Sequence, residues 1–464
     1  MAQAQGSEAR IVIAEEIAFK SVPEVVVENC EDAWNEYVDG DVTAELDAVD
    51  FKAGAGSCKL TMAAGVGVEI LASEVISVAS LADVTHIVAW VKSSIVLTAG
   101  DLQLLLDEHA LCASPLETLN IPAIPAANVW TPIKMALANP ATDLLLISIA
   151  LKQAVDKGAF VFRIDDIRAI KDGMYVPFLS EGFRLSRNFT ESKVIRSSRN
   201  PNRPARGNQE VAGDISTELN PWMGRLFKYL LGGYTRTGGG PYTHVFKIAS
   251  LPTGLQVEKQ FTDIVQYIRY NGCKINSHSG TIKAEGPLEG KFNFMGAKET
   301  LATLPHDGVP TDFGHNPFDG FEAVINQGEA PLAIVTEVSF EINNNLDGSV
   351  YVIGGAGERY SIPAGKVKVS GKLTALFETM TLYNLAIGHE ETSLQIELTK
   401  GDGGGTAGNE KLTYNFDEIV FRPQAPIISG DKGIMVDLEF EAYYDNDSDA
   451  SAVWIELLNA QANL

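Results

Sequence analysis

The sequence predicts a mainly β protein: an N-terminal β-sandwich or jelly roll, then a second β region carrying one short packed helix. Three observations carry this. The first half is built of short apolar segments punctuated by Gly, Asp and Pro. Three late segments alternate between apolar and polar, mostly charged, residues. A single apolar stripe at helical spacing lies between Trp222 and Leu231.

The chain has 464 residues, a length that suits two or three domains. Its hydrophobic fraction of 45% and charged fraction of 21% are those of a protein that buries a real core. With 36 Lys and Arg against 60 Asp and Glu, the net charge is -24. That excludes a general nucleic-acid coat or an anionic-membrane binder, both of which need basic charge. The N-terminus MAQAQGSEAR reads as no secretory signal, and Leu144–Leu151 is far shorter than a bilayer span. The expectation is a protein without membrane insertion. The cysteines Cys30, Cys58, Cys112 and Cys273 read as buried thiols; pairing of Cys30 with Cys58 would need an oxidising compartment.

In the first half, strands are expected at Ser57–Met62, His86–Lys92, Asp101–Asp107, Leu144–Leu151 and Ala159–Ile164. In HIVAWVK, Ile87, Ala89 and Val91 alternate with Val88, Trp90 and Lys92. Both faces are therefore at least partly covered. Short strands at this spacing suit a sandwich or jelly roll. The order ENCEDAW (Glu28–Trp34), GSCKL (Gly56–Leu60), WVKSS (Trp90–Ser94), GDLQLLLDE (Gly100–Glu108), NIPAIPAANVW (Asn120–Trp130) and RIDDIR (Arg163–Arg168) resembles the galactose-binding-like jelly rolls of carbohydrate-binding modules. That resemblance implies a structural calcium site from Glu31 with Asp165 and Asp166, and surface glycans as a partner. Calcium needs six to eight oxygens, and the bland reading is acids in surface turns. Sugar stacking would use Trp34, Trp90 or Trp130, though each sits in an apolar context that favours core packing.

Charge divides the chain. Residues 1–170 carry 10 basic and 24 acidic residues, and residues 207–464 carry 18 and 33. Between them, RLSRNFTESKVIRSSRNPNRPAR (residues 184–206) has seven basic residues and one acid. Its Asn-Pro and Arg-Pro steps make it extended or turning. Three readings are open: a solvated linker, a nucleic-acid arm, or an arm that docks on an acidic neighbouring copy. Phe189 is its only ring, which weighs against the second. Opposite charges on one chain favour the third, with Arg196, Arg199, Arg203 and Arg206 as contacts. The expected boundaries are 1–170 for the sandwich, 171–206 for linker and arm, and 207–464 for the second domain.

In that second domain, Asn220 suits an N-cap and Pro221 a first helical position. Trp222, Met223, Leu226, Phe227, Leu230 and Leu231 form the apolar stripe, and Gly232-Gly233 the stop. Strands are expected in Tyr234–Ile248, Tyr267–Gly286 and Leu288–Gly296. In TEVSFEI, KVKVSGKLTALF and IMVDLEFEA one face is apolar and the other charged. The Glu and Lys faces would meet water, or each other across subunits.

Residues 198–259, YNGCKINSHSGTIKAEGPLEGKFNFMGAKE (residues 270–299) and SFEINNNLDGSVYVIGG (Ser339–Gly355) resemble tail tube proteins of tailed bacteriophages. The shared pattern is an N-P-x-R arm, a G-D-I-x-x-E-L run, a GG-Y-T…GPYTH turn and a final strand pair, spanning about residues 180–464. The resemblance implies a tail-tube β-barrel or sandwich domain and hexameric rings stacked into a hollow tube. Other tail proteins would be partners, and DNA would pass the lumen without specific binding. The place would be the virion tail, assembled in the host cytoplasm. The candidate acidic lumen face is Glu337, Glu341, Asp437, Glu439 and Glu441, with an outer solvated face as the alternative. The N-terminal sandwich, which the family core does not require, would project outside the tube.

No enzyme is expected. His306 and His315, beside Asp307 and Asp312, lack metal-ligand spacing. GYTRTGGG (Gly233–Gly240) and GDGGGTAG (Gly401–Gly408) lack a terminal GK[ST] and read as hairpin tips. The alternatives to a tube subunit are a carbohydrate-binding protein acting through the first half and, more remotely, a glycoside-processing enzyme.

Overall fold

Alternation of apolar and polar residues puts one face of each strand into a core, and the chain answers with sheets stacked in layers. A computed structural model describes residues 3–428, 433–444 and 451–464. It divides into two compact units, each assembled from separate stretches of sequence. The first comprises Met1–Val176, Gln256–Arg269 and Thr300–Asp312; the second comprises Pro177–Leu255, Tyr270–Glu299 and Phe313–Leu464.

The first unit holds two antiparallel sheets. One runs Thr131–Ala136, His86–Ser93, Phe160–Ile170, Ser57–Met62, Val42–Asp47, with Glu24–Glu28 also on Phe160–Ile170. The other runs Tyr37–Val38, Ile70–Ala79, Leu146–Gln153, Leu102–Asp107, Glu117–Asn120. Ile87, Val91, Phe162 and Ile164 of the first sheet and Leu71, Leu104, Ile149 and Leu151 of the second meet in one core with Trp34. The expected strands are present within a few residues. All four cysteines are buried free thiols, so Cys30 and Cys58 do not form a disulfide. Burial pushes the Cys58 thiol up to about 12.

The second unit begins with a ribbon of Arg184–Thr190 and Ala205–Glu218. Its sheet continues through Glu289–Gly296, the strand Gln266–Lys283, Val335–Asn343, Lys368–Leu376 and Met435–Ala442. The strand Lys411–Phe421 then divides the sheet in two. Its residues 419–421 pair with Met435–Ala442, while residues 411–415 pair with Trp454–Asn459. Trp454–Asn459 leads on to Tyr242–Ile248 and Gly232–Thr237. The other edge of Lys411–Phe421 pairs with Thr392–Thr399 and then Ala323–Gln327. Two layers diverge from this shared strand, a sandwich. Among the described residues no barrel closes within the chain.

The helix lies at Gly224–Leu231, starting later than expected. Asn220 Oδ1 accepts the Trp222 N–H at 3.0 Å, so its side chain closes a turn ahead of the helix. The stop is as expected: Gly232 has φ 88°, where a Cβ would meet the Ser250 carbonyl oxygen at 2.5 Å. Burial extends beyond the apolar stripe to Gly224, Arg225 and Tyr229. Phe227 reaches Phe246, Phe292, His278 and Tyr414, with ring centroids 5.8–6.1 Å away. One helical ring therefore touches aromatic residues of both layers.

Candidate functional site

The basic segment forms the outer part of a two-stranded ribbon. Arg184 pairs with Ala212, Leu185 with Val211 and Arg187 with Gln209; after a register shift, Phe189 pairs with Arg206 and Thr190 with Ala205. The base is held by packing. Val211 is fully buried, and a Cβ on Gly213 would fall 2.4 Å from the Phe183 Cα. Beyond it the side chains turn to solvent. Residues 191–201 are all exposed, as are Arg203 and Arg206. Arg196, Arg199, Arg203 and Arg206 form no ion pair among the described residues. Beside these cations lie Phe189, Val194 and Ile195, the last 97% exposed. The tip is organised locally, as where Asn202 Nδ2 donates to the Val194 carbonyl at 3.0 Å. Exposed apolar side chains thus stand among cations that have no ion-pair partner among the described residues.

The candidate lumen acids lie on one polar sheet face. Rows cross it in register: Ser216, Lys291, Ser279, Glu341, Ser370 and Glu441 form one, and Glu289, Thr281, Ser339, Lys372 and Glu439 another. The apolar sides of these strands are buried as expected: Val338, Phe340 and Ile342; Val369 and Leu373; Val436, Leu438 and Phe440. The Glu and Lys faces could meet across subunits. Within the chain they already share this face. Lys372 Nζ lies 3.0 Å from Asp437 Oδ2, and Arg422 pairs with Glu439 and Glu441. A hydrogen bond from Thr374 at 2.7 Å, with the Lys372 ammonium, holds the Asp437 carboxyl below its ordinary range.

The three calcium candidates divide. Glu31 Oε1 accepts the Ala55 N–H at 3.0 Å, and Asp165 Oδ2 accepts those of Lys52 and Ala53 at 2.6 and 2.9 Å. Asp166, at φ 52°, turns instead to Arg168 Nε at 3.0 Å. Burial raises both aspartates. No group of three His, Cys, Asp or Glu suited to a metal ion occurs among the described residues.

The tryptophans also separate. Trp34 is fully buried and offers no stacking surface. Trp90 is half-buried beneath Lys52, whose ammonium lies 4.3 Å from the ring centroid. Trp130, also half-buried, donates its indole N–H to Asp50 at 2.9 Å. His306 is buried in the first unit and bonds the Lys171 carbonyl at 2.9 Å; His315 belongs to the second unit and meets Glu218 at 2.7 Å. Both glycine-rich segments join paired strands, as hairpin tips do.

A family model described as phage tail tube protein matches residues 136–442. The match starts inside the first half, earlier than the motifs at 180–464. No curated protein matches the chain. Among solved structures, the N-terminal CBM22-1–CBM22-2 tandem domain of Xyn10C from Paenibacillus barcinonensis is 11% identical, with 96% of this chain and 99% of that chain covered. Its TM-score of 0.22 carries no argument about the first unit.

Proposed function

The chain belongs to the phage tail tube protein family, and on that footing we propose that its copies stack as hexameric rings into the hollow tube through which the genome is ejected. The observation that carries the assembly step is the exposed basic ribbon. Its cations lack ion-pair partners among the described residues, whereas the rest of the chain is strongly acidic. Association between copies satisfies both. An acidic tube wall would repel phosphate and let DNA slide without a bound state. The role is structural, without catalysis, in a virion built in the host cytoplasm. Among the described residues no helix is long and apolar enough to cross a membrane. Electron microscopy of the purified protein tests this reading: rings or tubes of constant width are expected, and dispersed monomers at all concentrations refute it.

A second reading, carbohydrate binding by the first unit, rests on the half-buried Trp90 and Trp130 beside Asp50 and Lys92. It predicts glycan-array binding that is lost in W90A; an array with no signal sinks it.

A further inference from the structure

On the outer face of the second unit, strands Ala323–Gln327, Thr392–Thr399, Lys411–Phe421 and Trp454–Asn459 line up four side chains in register: Asn326, Gln395, Asn415 and Trp454. The amides form a ladder. Asn326 Nδ2 donates to Gln395 Oε1 at 2.8 Å, and Gln395 Nε2 donates to Asn415 Oδ1 at 2.7 Å. The ladder stops there. Asn415 is only 3% exposed, and its Nδ2 has no acceptor among the described residues. It lines a groove of about 680 Å³ rimmed by Glu329, Glu391 and Asp417, with no cation among the lining residues. Trp454 forms one wall, its indole N–H bonded to Asp417 at 2.7 Å. Lys247 lies 5.8 Å from its ring centroid, so the ring already attracts a cation.

A buried amide N–H without an acceptor is costly, and a groove that keeps one is shaped for a ligand that supplies an oxygen. Three carboxylates around an aromatic wall ask for positive charge on that ligand, and a guanidinium suits both. An extended basic peptide meets all three requirements. Its backbone carbonyl accepts from Asn415, an arginine stacks on Trp454, and its charge faces Glu329, Glu391 and Asp417. Among the described residues, the exposed ribbon tip at residues 191–206 is such a segment.

We propose that this groove receives the arginine-rich ribbon tip of a second copy of the chain. The assignment rests on the tube reading for its purpose, and names the receptor that the reading lacks. The test uses a synthetic peptide of residues 190–206 as probe. The receptor is the full chain carrying R196E/R199E/R203E, so that its own ribbon does not compete. Fluorescence anisotropy at low salt should show binding that weakens at least tenfold in the same receptor with E329K/E391K. Both positions are exposed, Glu391 accepting only the Tyr443 hydroxyl among the described residues, and a melting curve verifies that folding is spared. Unchanged affinity overturns the groove. Electron microscopy of E329K/E391K in the otherwise native chain separates the two ideas. Normal tubes from that variant overturn the groove and leave the tube reading standing. Peptide bound in the groove, with wild-type protein that never forms rings, keeps the groove and removes the tube reading.

Discussion

The ring of His278 is stacked on Phe292, with centroids 4.2 Å apart, and its Nε2 accepts the hydroxyl hydrogen of Tyr414 at 3.1 Å. The other nitrogen, Nδ1, donates to the Lys291 carbonyl at 3.2 Å. These two bonds satisfy a neutral imidazole inside an aromatic core and leave no place for a second proton. Burial lowers the His278 pKa from 6.5 to about 4.

Unfolded histidine takes up a proton as pH falls through about 6.5, whereas the folded one does so only near 4. In that window the unfolded chain binds more protons, so stability present above pH 6.5 is lost as pH falls. The shift corresponds to roughly 3 kcal/mol. Thermal melts from pH 7.5 to 4 should therefore show a shallower loss in H278F than in wild type. Parallel curves would contradict this. In Y414F the imidazole loses its donor, at a cost of roughly 1–2 kcal/mol at neutral pH.

Gly371 is the point where the sheet leaves no room. A Cβ there would meet Phe440 Cζ and the Ser339 carbonyl oxygen, each at 2.4 Å. Backbone cannot yield as a side chain can, so G371A should destabilise the second unit by roughly 2–4 kcal/mol. Chemical denaturation measures it, with G239A as the control because open space surrounds that position.

Glu258, 1% exposed, accepts the Arg269 Nε at 2.6 Å and the His306 backbone N–H at 3.0 Å. Removing it takes the closer of two carboxylates from a buried guanidinium, which keeps Glu24 at 3.6 Å and the Leu304 carbonyl, at a cost of roughly 2–4 kcal/mol. E258A should lower the melting temperature of the first unit by many degrees. K372A, in an exposed pair with Asp437, should change the stability of the second by less than about 1 kcal/mol. Equal effects would refute the ranking.

Reversing Arg196, Arg199 and Arg203 to Glu should block tube growth and leave the melting curve unchanged. These side chains are exposed, so folding does not use them. Sedimentation and microscopy read the outcome, and normal tubes from this variant would remove the docking idea.

Strand identity was legible because burial has a period of two. Val338, Phe340 and Ile342 announce their common face without any partner in view. The helix stop at Gly232 was legible for a local reason, its positive φ. The helix start was not, because Asn220 and Pro221 suit a turn as well as a cap, and the choice lies in how Trp222 packs against Phe313, with centroids 5.5 Å apart.

The sequence by itself determined the β class, the short helix, the basic segment between acidic bodies and the motifs of the tail tube family, because these depend on periodicity and order along the chain. Tertiary structure alone decided that residues 256–269 and 300–312 join the first unit. It also placed Lys372 beside Asp437, and stopped the amide ladder at Asn415 below Trp454. Those facts depend on register between strands far apart in sequence, and register is set by the summed packing of a whole sheet.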